Sequence, residues 1–110
     1  MDQKEENAVI RRIQNGEQQA YALLVEKYKG PLFNLAYRMT GNYQDAEDLA
    51  QEAFVKTYVS LNRFNRKKRF FPWLYTICLN LIRDHLKKER KILSGIEDAS
   101  VKDSMTPEQA

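Results

Sequence analysis

Residues 63–91 read RFNRKKRFFPWLYTICLNLIRDHLKKERK. The stretch opens as a basic turn holding Phe64, Phe70 and Phe71 and then becomes a helix. The spacing starts that helix at Pro72, since a proline is tolerated in a first turn. Leu74, Ile77, Leu81 and Leu86 fall at helical spacing and form its expected core stripe. A second stripe, Trp73, Thr76, Asn80, Arg83 and Lys87, is polar and basic below its tryptophan. Ten Lys and Arg residues in the stretch face only Asp84 and Glu89. Rings set among cations suit a groove where bases stack and phosphates are neutralised. A core helix with a solvated basic end accounts for the same residues.

Upstream, Asn42 is a good N-cap for a helix running from Tyr43 to about Leu61, with Asp45, Glu47 and Asp48 in its first turns. Ala46, Leu49, Ala50, Ala53, Phe54, Thr57, Tyr58 and Leu61 make a regular apolar stripe along it. The opposite face carries Asp48, Gln51, Glu52 and Val55, which suits either plain solvation or docking of a basic partner helix. Closer to the N-terminus, residues 5–15 form a short amphipathic helix around Ala8, Val9, Ile10 and Ile13, ended by Asn15 and Gly16. A second begins at Glu17 with Ala20, Leu23, Leu24 and Tyr28; Gly30 and Pro31 break or kink it. The pattern resumes in Leu32, Leu35, Ala36 and Met39, and Gly41 stops it. With no strand pattern and no internal repeat, the fold class is all-α, a compact bundle of four to five helices. Residues 1–91 form the domain. Residues 92–110, with Ser94, Gly95, Ser100 and Ser104, read as a polar, disordered linker.

The 110 residues suit one domain with a net charge of +3. That charge is unevenly spread. Residues 1–62 carry seven Lys/Arg against nine Asp/Glu, residues 63–91 ten against two, and residues 92–110 one against four. A positive field this local favours a binding site over general solubility. Cys78 is the only cysteine, so no intramolecular disulfide forms, and its position suits a small buried hydrophobe. No apolar run is long enough to span a membrane and the N-terminus carries no apolar signal segment, so a cytoplasmic setting is expected.

Little points to catalysis. Asp48 and Glu52 share a face, but no histidine lies near the acids in sequence, and early-helix acids complement the helix dipole. His85, the only histidine, reads as structural or surface. There is no phosphate loop, dinucleotide fingerprint or nucleophile elbow. No metal, cofactor or enzymatic activity is expected.

The order of segments resembles region 2 of a bacterial RNA polymerase sigma factor of the extracytoplasmic-function group. DAEDLAQEAFVKTY (45–58), Phe64 and FFPWLYTICLNLIRDHLKK (70–88) carry the likeness, with AYALLVEKY (20–28), LAYRMTGN (35–42) and IRRIQNGEQQA (10–20) in support. The resemblance spans residues 8–91. It implies that Asp48, Gln51, Glu52 and Val55 dock on the β′ clamp helices of core polymerase. It also implies that the basic turn and the helix after it recognise and melt the minus-ten promoter element, capturing a base flipped from the non-template strand. The DNA-binding set is then Arg63, Phe64, Arg66, Lys67, Lys68, Arg69, Trp73, Tyr75, Thr76, Asn80, Arg83 and Lys87. In it Asn80 reads a base edge, Tyr75 leans over the pocket, and Phe64 with residues 66–69 forms a mobile wall. Arg83 and Lys87 hold the backbone, while Asp84 is structural. An anti-sigma factor is the inhibitor the family implies.

The sequence departs from the family pattern at Pro72, where a hydroxyl residue is common, at Thr76, where a basic residue is frequent, and at Cys78, where alanine is usual. The second, helix-turn-helix domain is absent, and Thr106, Pro107, Glu108 and Gln109 resemble the lead-in to it, which reads as a chain cut at the interdomain linker. Two rival readings stand beside this one: a helical adaptor for an acidic protein, and a helical domain that reads duplex DNA.

Overall fold

The computed structural model describes residues 1–95. Four α-helices follow in order: α1 (Gln3–Gln14), α2 (Tyr21–Thr40), α3 (Tyr43–Ser60) and α4 (Phe70–Ser94). Short 3₁₀ turns at Gln18–Ala20 and Leu61–Arg63 lie between them. The all-α expectation holds. Helix α3 packs on both α2 and α4, and α1 crosses α2 and the 3₁₀ turn after α3. Among the described residues, no helix is long and apolar enough to cross a membrane.

Helix α1 begins two residues before the spacing indicates because Asp2 and Glu5 form a reciprocal cap: the Glu5 N–H donates to Asp2 Oδ1 and the Asp2 N–H to Glu5 Oε1, both at 2.8 Å. Val9, Ile10 and Ile13 are buried as the pattern requires. Ala8 is exposed, and Glu6 takes the inward place instead. Its carboxylate accepts hydrogen bonds there from Lys27 Nζ at 2.8 Å and from the Tyr28 hydroxyl at 2.5 Å.

Helix α2 is continuous through Pro31, so the expected break does not occur. Proline loses one backbone hydrogen bond and crowds the preceding turn. Here Leu24 on one side and Leu32, Leu35 and Ala36 on the other are buried in one core, and that packing holds both halves in a single helix. Gly41 closes α2 in the left-handed conformation at φ 68°, and the Asn42 side chain caps α3 by accepting the Asp45 N–H at 2.8 Å. The α3 stripe is buried as read, with Tyr58 only partly so.

Helix α4 differs in phase. It starts at Phe70, with Pro72 third in the first turn, where a missing N–H still has no helical partner to lose. Phe70 is fully buried, 5.9 Å from Tyr28 and 5.7 Å from Phe64 between ring centroids. It sets the buried row Phe70, Leu74, Cys78 and Ile82, one residue per turn. Ile77 is rotated out to a half-buried position, and Leu81 and Leu86 only flank the core. The helix also runs past residue 91 to Ser94, with Gly95 as its left-handed cap at φ 75°. The expected linker therefore begins no earlier than that glycine, and the remainder of it lies outside the described residues.

Candidate nucleic-acid and partner interface

The basic turn is built on a short Asx motif. Asn65 Oδ1 accepts the Lys67 N–H and the Asn65 carbonyl accepts the Lys68 N–H, both at 2.9 Å. This reverses the chain in four residues and leaves Arg66, Lys67, Lys68 and Arg69 exposed. Phe64 marks the change from helical to extended backbone, at φ −69° and ψ 132°. Its ring turns inward, tilted on Trp73 with centroids 4.8 Å apart and edge-on to Phe70. Phe64 is thus a buried floor for the turn, where a mobile wall was expected.

Above that floor lies a cavity of about 570 Å³, lined by Arg63, Phe64, Asn65, Lys68, Arg69, Pro72 and Trp73. Its size is that of a small-ligand site. Apolar rings at the base and three cations at the rim suit an unstacked base with its phosphates. Sequence reasoning missed Asn65; an Asn between an aromatic residue and a basic run is a turn signal that could have found it. Arg66 and Lys67 are outside the lining and stand as free surface charge.

Helix geometry arranges the remaining candidates. Thr76, Asn80, Arg83 and Lys87 are all exposed along α4, with Trp73 half-buried at their head. The Thr76 hydroxyl donates back to the Pro72 carbonyl at 2.9 Å. Asn80 makes no side-chain hydrogen bond to another described residue, which leaves its amide free to meet a ligand. Seven residues separate Trp73 from Asn80, about 10 Å along the axis. Asn80 thus stands two helical turns beyond the tryptophan that lines the cavity. Lys87 stands about 21 Å from Trp73 on the same axis, room for several nucleotides. Tyr75 is not brought to the cavity. Its ring packs on Phe71 at 5.7 Å, and Phe71 in turn stacks on Tyr28 at 4.9 Å.

On α3, Asp48, Gln51, Glu52 and Val55 are exposed together, and Val55 is 63% exposed. Asp48 accepts from Gln44 Nε2 at 3.0 Å and forms no ion pair among the described residues. Two apolar hollows flank this face. One, of about 420 Å³ between α2 and α3, is lined by Val25, Gly30, Phe33, Ala50 and Phe54 together with Lys29, Glu47 and Gln51. The other runs beside Val55 past Tyr21, Ala22, Phe54 and Tyr58, with Gln18 and Gln19 also in its lining. Charge on the ridge and apolar surface on both sides suit a partner helix. Sequence periodicity marked the ridge and missed the hollows, because their walls come from two helices.

His85 and the acids, distant in sequence, meet in space. His85 Nε2 lies 3.2 Å from Asp45 Oδ2 and 3.7 Å from Glu89 Oε2, tying the first turn of α3 to α4. The three donor atoms lie within 4.8 Å of one another, close enough to hold a cation. As it stands the group is an interhelical polar contact that joins the helix bearing the acidic ridge to the helix bearing the basic face.

A family model described as Sigma-70 region 2 matches residues 24–92. The ECF RNA polymerase sigma factor SigW of Bacillus subtilis is 42% identical over 81 residues, which are 74% of this chain and 43% of that protein. The RNA polymerase sigma-H factor of Pseudomonas aeruginosa is 37% identical over 86 residues, 78% of this chain and 45% of that one. The chain thus spans less than half the length of these curated relatives. An NMR structure of an engineered region 2 of sigmaE in complex with GTAAAA superposes with a TM-score of 0.73 at 33% identity, covering 79% of this chain and 90% of that one.

Proposed function

Because the chain belongs to the sigma-70 region 2 family, we propose that it is the promoter-recognition domain of an alternative sigma factor of the extracytoplasmic-function group. It binds RNA polymerase core through α3 and holds the opened minus-ten element with the basic turn and α4. What carries the reading is one arrangement: an aromatic-floored cavity with a cationic rim, at the head of an exposed basic helix face. The structural relative solved with GTAAAA supports it.

The α3 ridge brings the domain to the β′ clamp helices. Asp48 and Glu52 steer toward basic side chains, and the hollows on either side accept apolar ones. On the DNA, removing a base from the stack costs a few kcal/mol. Stacking beside Trp73 returns about 1–3 kcal/mol per base. Lys68 and Arg69 neutralise phosphate at the rim, Arg83 and Lys87 do so further down α4, and Asn80 offers a donor and an acceptor to a neighbouring base. The work is binding and melting, with no covalent chemistry, in the cytoplasm. An anti-sigma factor would compete for these faces. The working unit runs through the end of α4 at Ser94, and the chain beyond Gly95 serves as linker.

Fluorescence anisotropy with single-stranded oligonucleotides tests the proposal. A minus-ten sequence should bind more tightly than its scramble, with affinity falling as salt rises. Equal affinity for both strands at every salt concentration would favour a protein adaptor, and tight sequence-specific binding of closed duplex would favour a duplex reader.

A further inference from the structure

Gln14, the last residue of α1, is half-buried and reaches across to the far side of the chain. Its Nε2 donates to the Leu61 carbonyl at 2.9 Å and to the Phe64 carbonyl at 3.1 Å, across 47 and 50 residues of sequence. A primary amide nitrogen carries two hydrogens, so one serves each carbonyl. The Leu61 carbonyl also accepts the Phe64 N–H at 3.0 Å, the bond that closes the 3₁₀ turn. Gln14 therefore grips both ends of the segment where the chain leaves α3 for the basic turn.

That segment is where the cavity is set. Arg63 and Asn65, on either side of Phe64, both line it. The hydrogen bonds within the turn, Lys67 and Lys68 to Asn65, are local and say nothing of where the turn sits on the body. Two contacts supply that placement: the Phe64 ring against Phe70 and Trp73, and the Gln14 amide on the Phe64 carbonyl. A ring held only by its faces can still slide, whereas a carbonyl held by a directed bond cannot without losing it.

We propose that Gln14 is a positioning residue for base recognition: its carboxamide sets the height and angle at which Arg63, Phe64 and Asn65 present the cavity. This rests on the promoter-binding reading above. Gln14 lies outside residues 24–92 matched by the family model, and within the supporting stretch 10–20, to which the resemblance attaches no role.

The test uses the full 110-residue chain, the minus-ten oligonucleotide and versions with one base changed at each position. Gln14→Met keeps the length and loses both donors. Gln14→Asn, one methylene shorter, cannot span both carbonyls and serves if the first variant folds poorly. Leu35→Val, a core change in the C-terminal half of α2, is the control for lost stability alone. With the Gln14 variants, discrimination at one position should fall by about tenfold, the lower range for one base contact. The salt slope should be unchanged, and Trp73, the only tryptophan, should become more open to acrylamide quenching in the free protein. Leu35→Val should retain discrimination. Discrimination unchanged in both Gln14 variants, or lost equally in Leu35→Val, overturns the assignment while leaving the promoter reading intact. A wild-type chain that does not distinguish the oligonucleotides overturns the promoter reading and this inference with it.

Discussion

Replacing Lys27 by Met tests what holds α1, and with it Gln14, against the bundle. The Glu6 side chain is 1% exposed and accepts from Lys27 Nζ at 2.8 Å and from the Tyr28 hydroxyl at 2.5 Å. The hydrogen bond that Lys27 donates to Glu6 holds its ammonium above its ordinary pKa. Methionine keeps the aliphatic stem and cannot donate, so Glu6 retains only the Tyr28 hydroxyl. Breaking a fully buried pair costs about 3–5 kcal/mol, and a hydrogen bond to a charged group contributes about 1.5–3 kcal/mol. The Lys27 side chain is 32% exposed, so water can replace part of what the ammonium supplied. That brings the loss to about 2 kcal/mol, a fall in Tm of roughly 8–16 °C for a domain of this size. Urea unfolding followed by circular dichroism measures it, and Glu6→Leu combined with Lys27→Met should recover most of the loss by removing both charges. If Lys27→Met alone lies within about 0.5 kcal/mol of wild type, the level of an unremarkable surface change, the pair does not anchor α1 and the reasoning fails.

Reversing Asp48 and Glu52 to Lys should weaken binding to core polymerase, mostly through slower association, with helicity unchanged by circular dichroism; unaltered affinity at moderate salt would remove the ridge from the docking face. Asn80→Ala should lose about 1–3 kcal/mol of discrimination at one promoter position, and because Asn80 stands two turns from the cavity that position should differ from the one governed by Gln14. Lys87→Ala should instead weaken all sequences alike and reduce the salt slope, as read by anisotropy titrations. Burial pushes the Cys78 thiol up to about 11, so it stays neutral in the folded state at pH 8. A thiol reagent should then react only as fast as the domain opens, and rapidly in urea. Since the folded pKa lies above the unfolded one, the stability it contributes is complete below the ordinary thiol pKa of about 9 and is lost as pH rises toward 11.

What was legible in the sequence was local or periodic. The Asn42 cap and the α3 stripe from Ala46 to Leu61 depend on residues three and four apart, which helix geometry alone brings together. The exposed rows Asp48–Gln51–Glu52–Val55 and Thr76–Asn80–Arg83–Lys87 follow from the same period, and glycine at 41 marks the stop of α2. What only the tertiary structure decided depends on which faces meet. Helix α4 offers two apolar rows one residue apart, and Phe70, wedged between Tyr28 and Phe64, selects Leu74, Cys78 and Ile82 over Ile77. Pro31 passes inside α2 because the buried residues on both sides belong to one core. Glu6 turns inward because Lys27 and Tyr28, a helix away, meet its charge. His85 reaches Asp45 across 40 residues, and Gln14 reaches Leu61 and Phe64 across 47 and 50. A polar side chain has no period to betray its partner: a directed bond between distant elements exists only once the packing of the apolar stripes has brought donor and acceptor within 3 Å or so of each other.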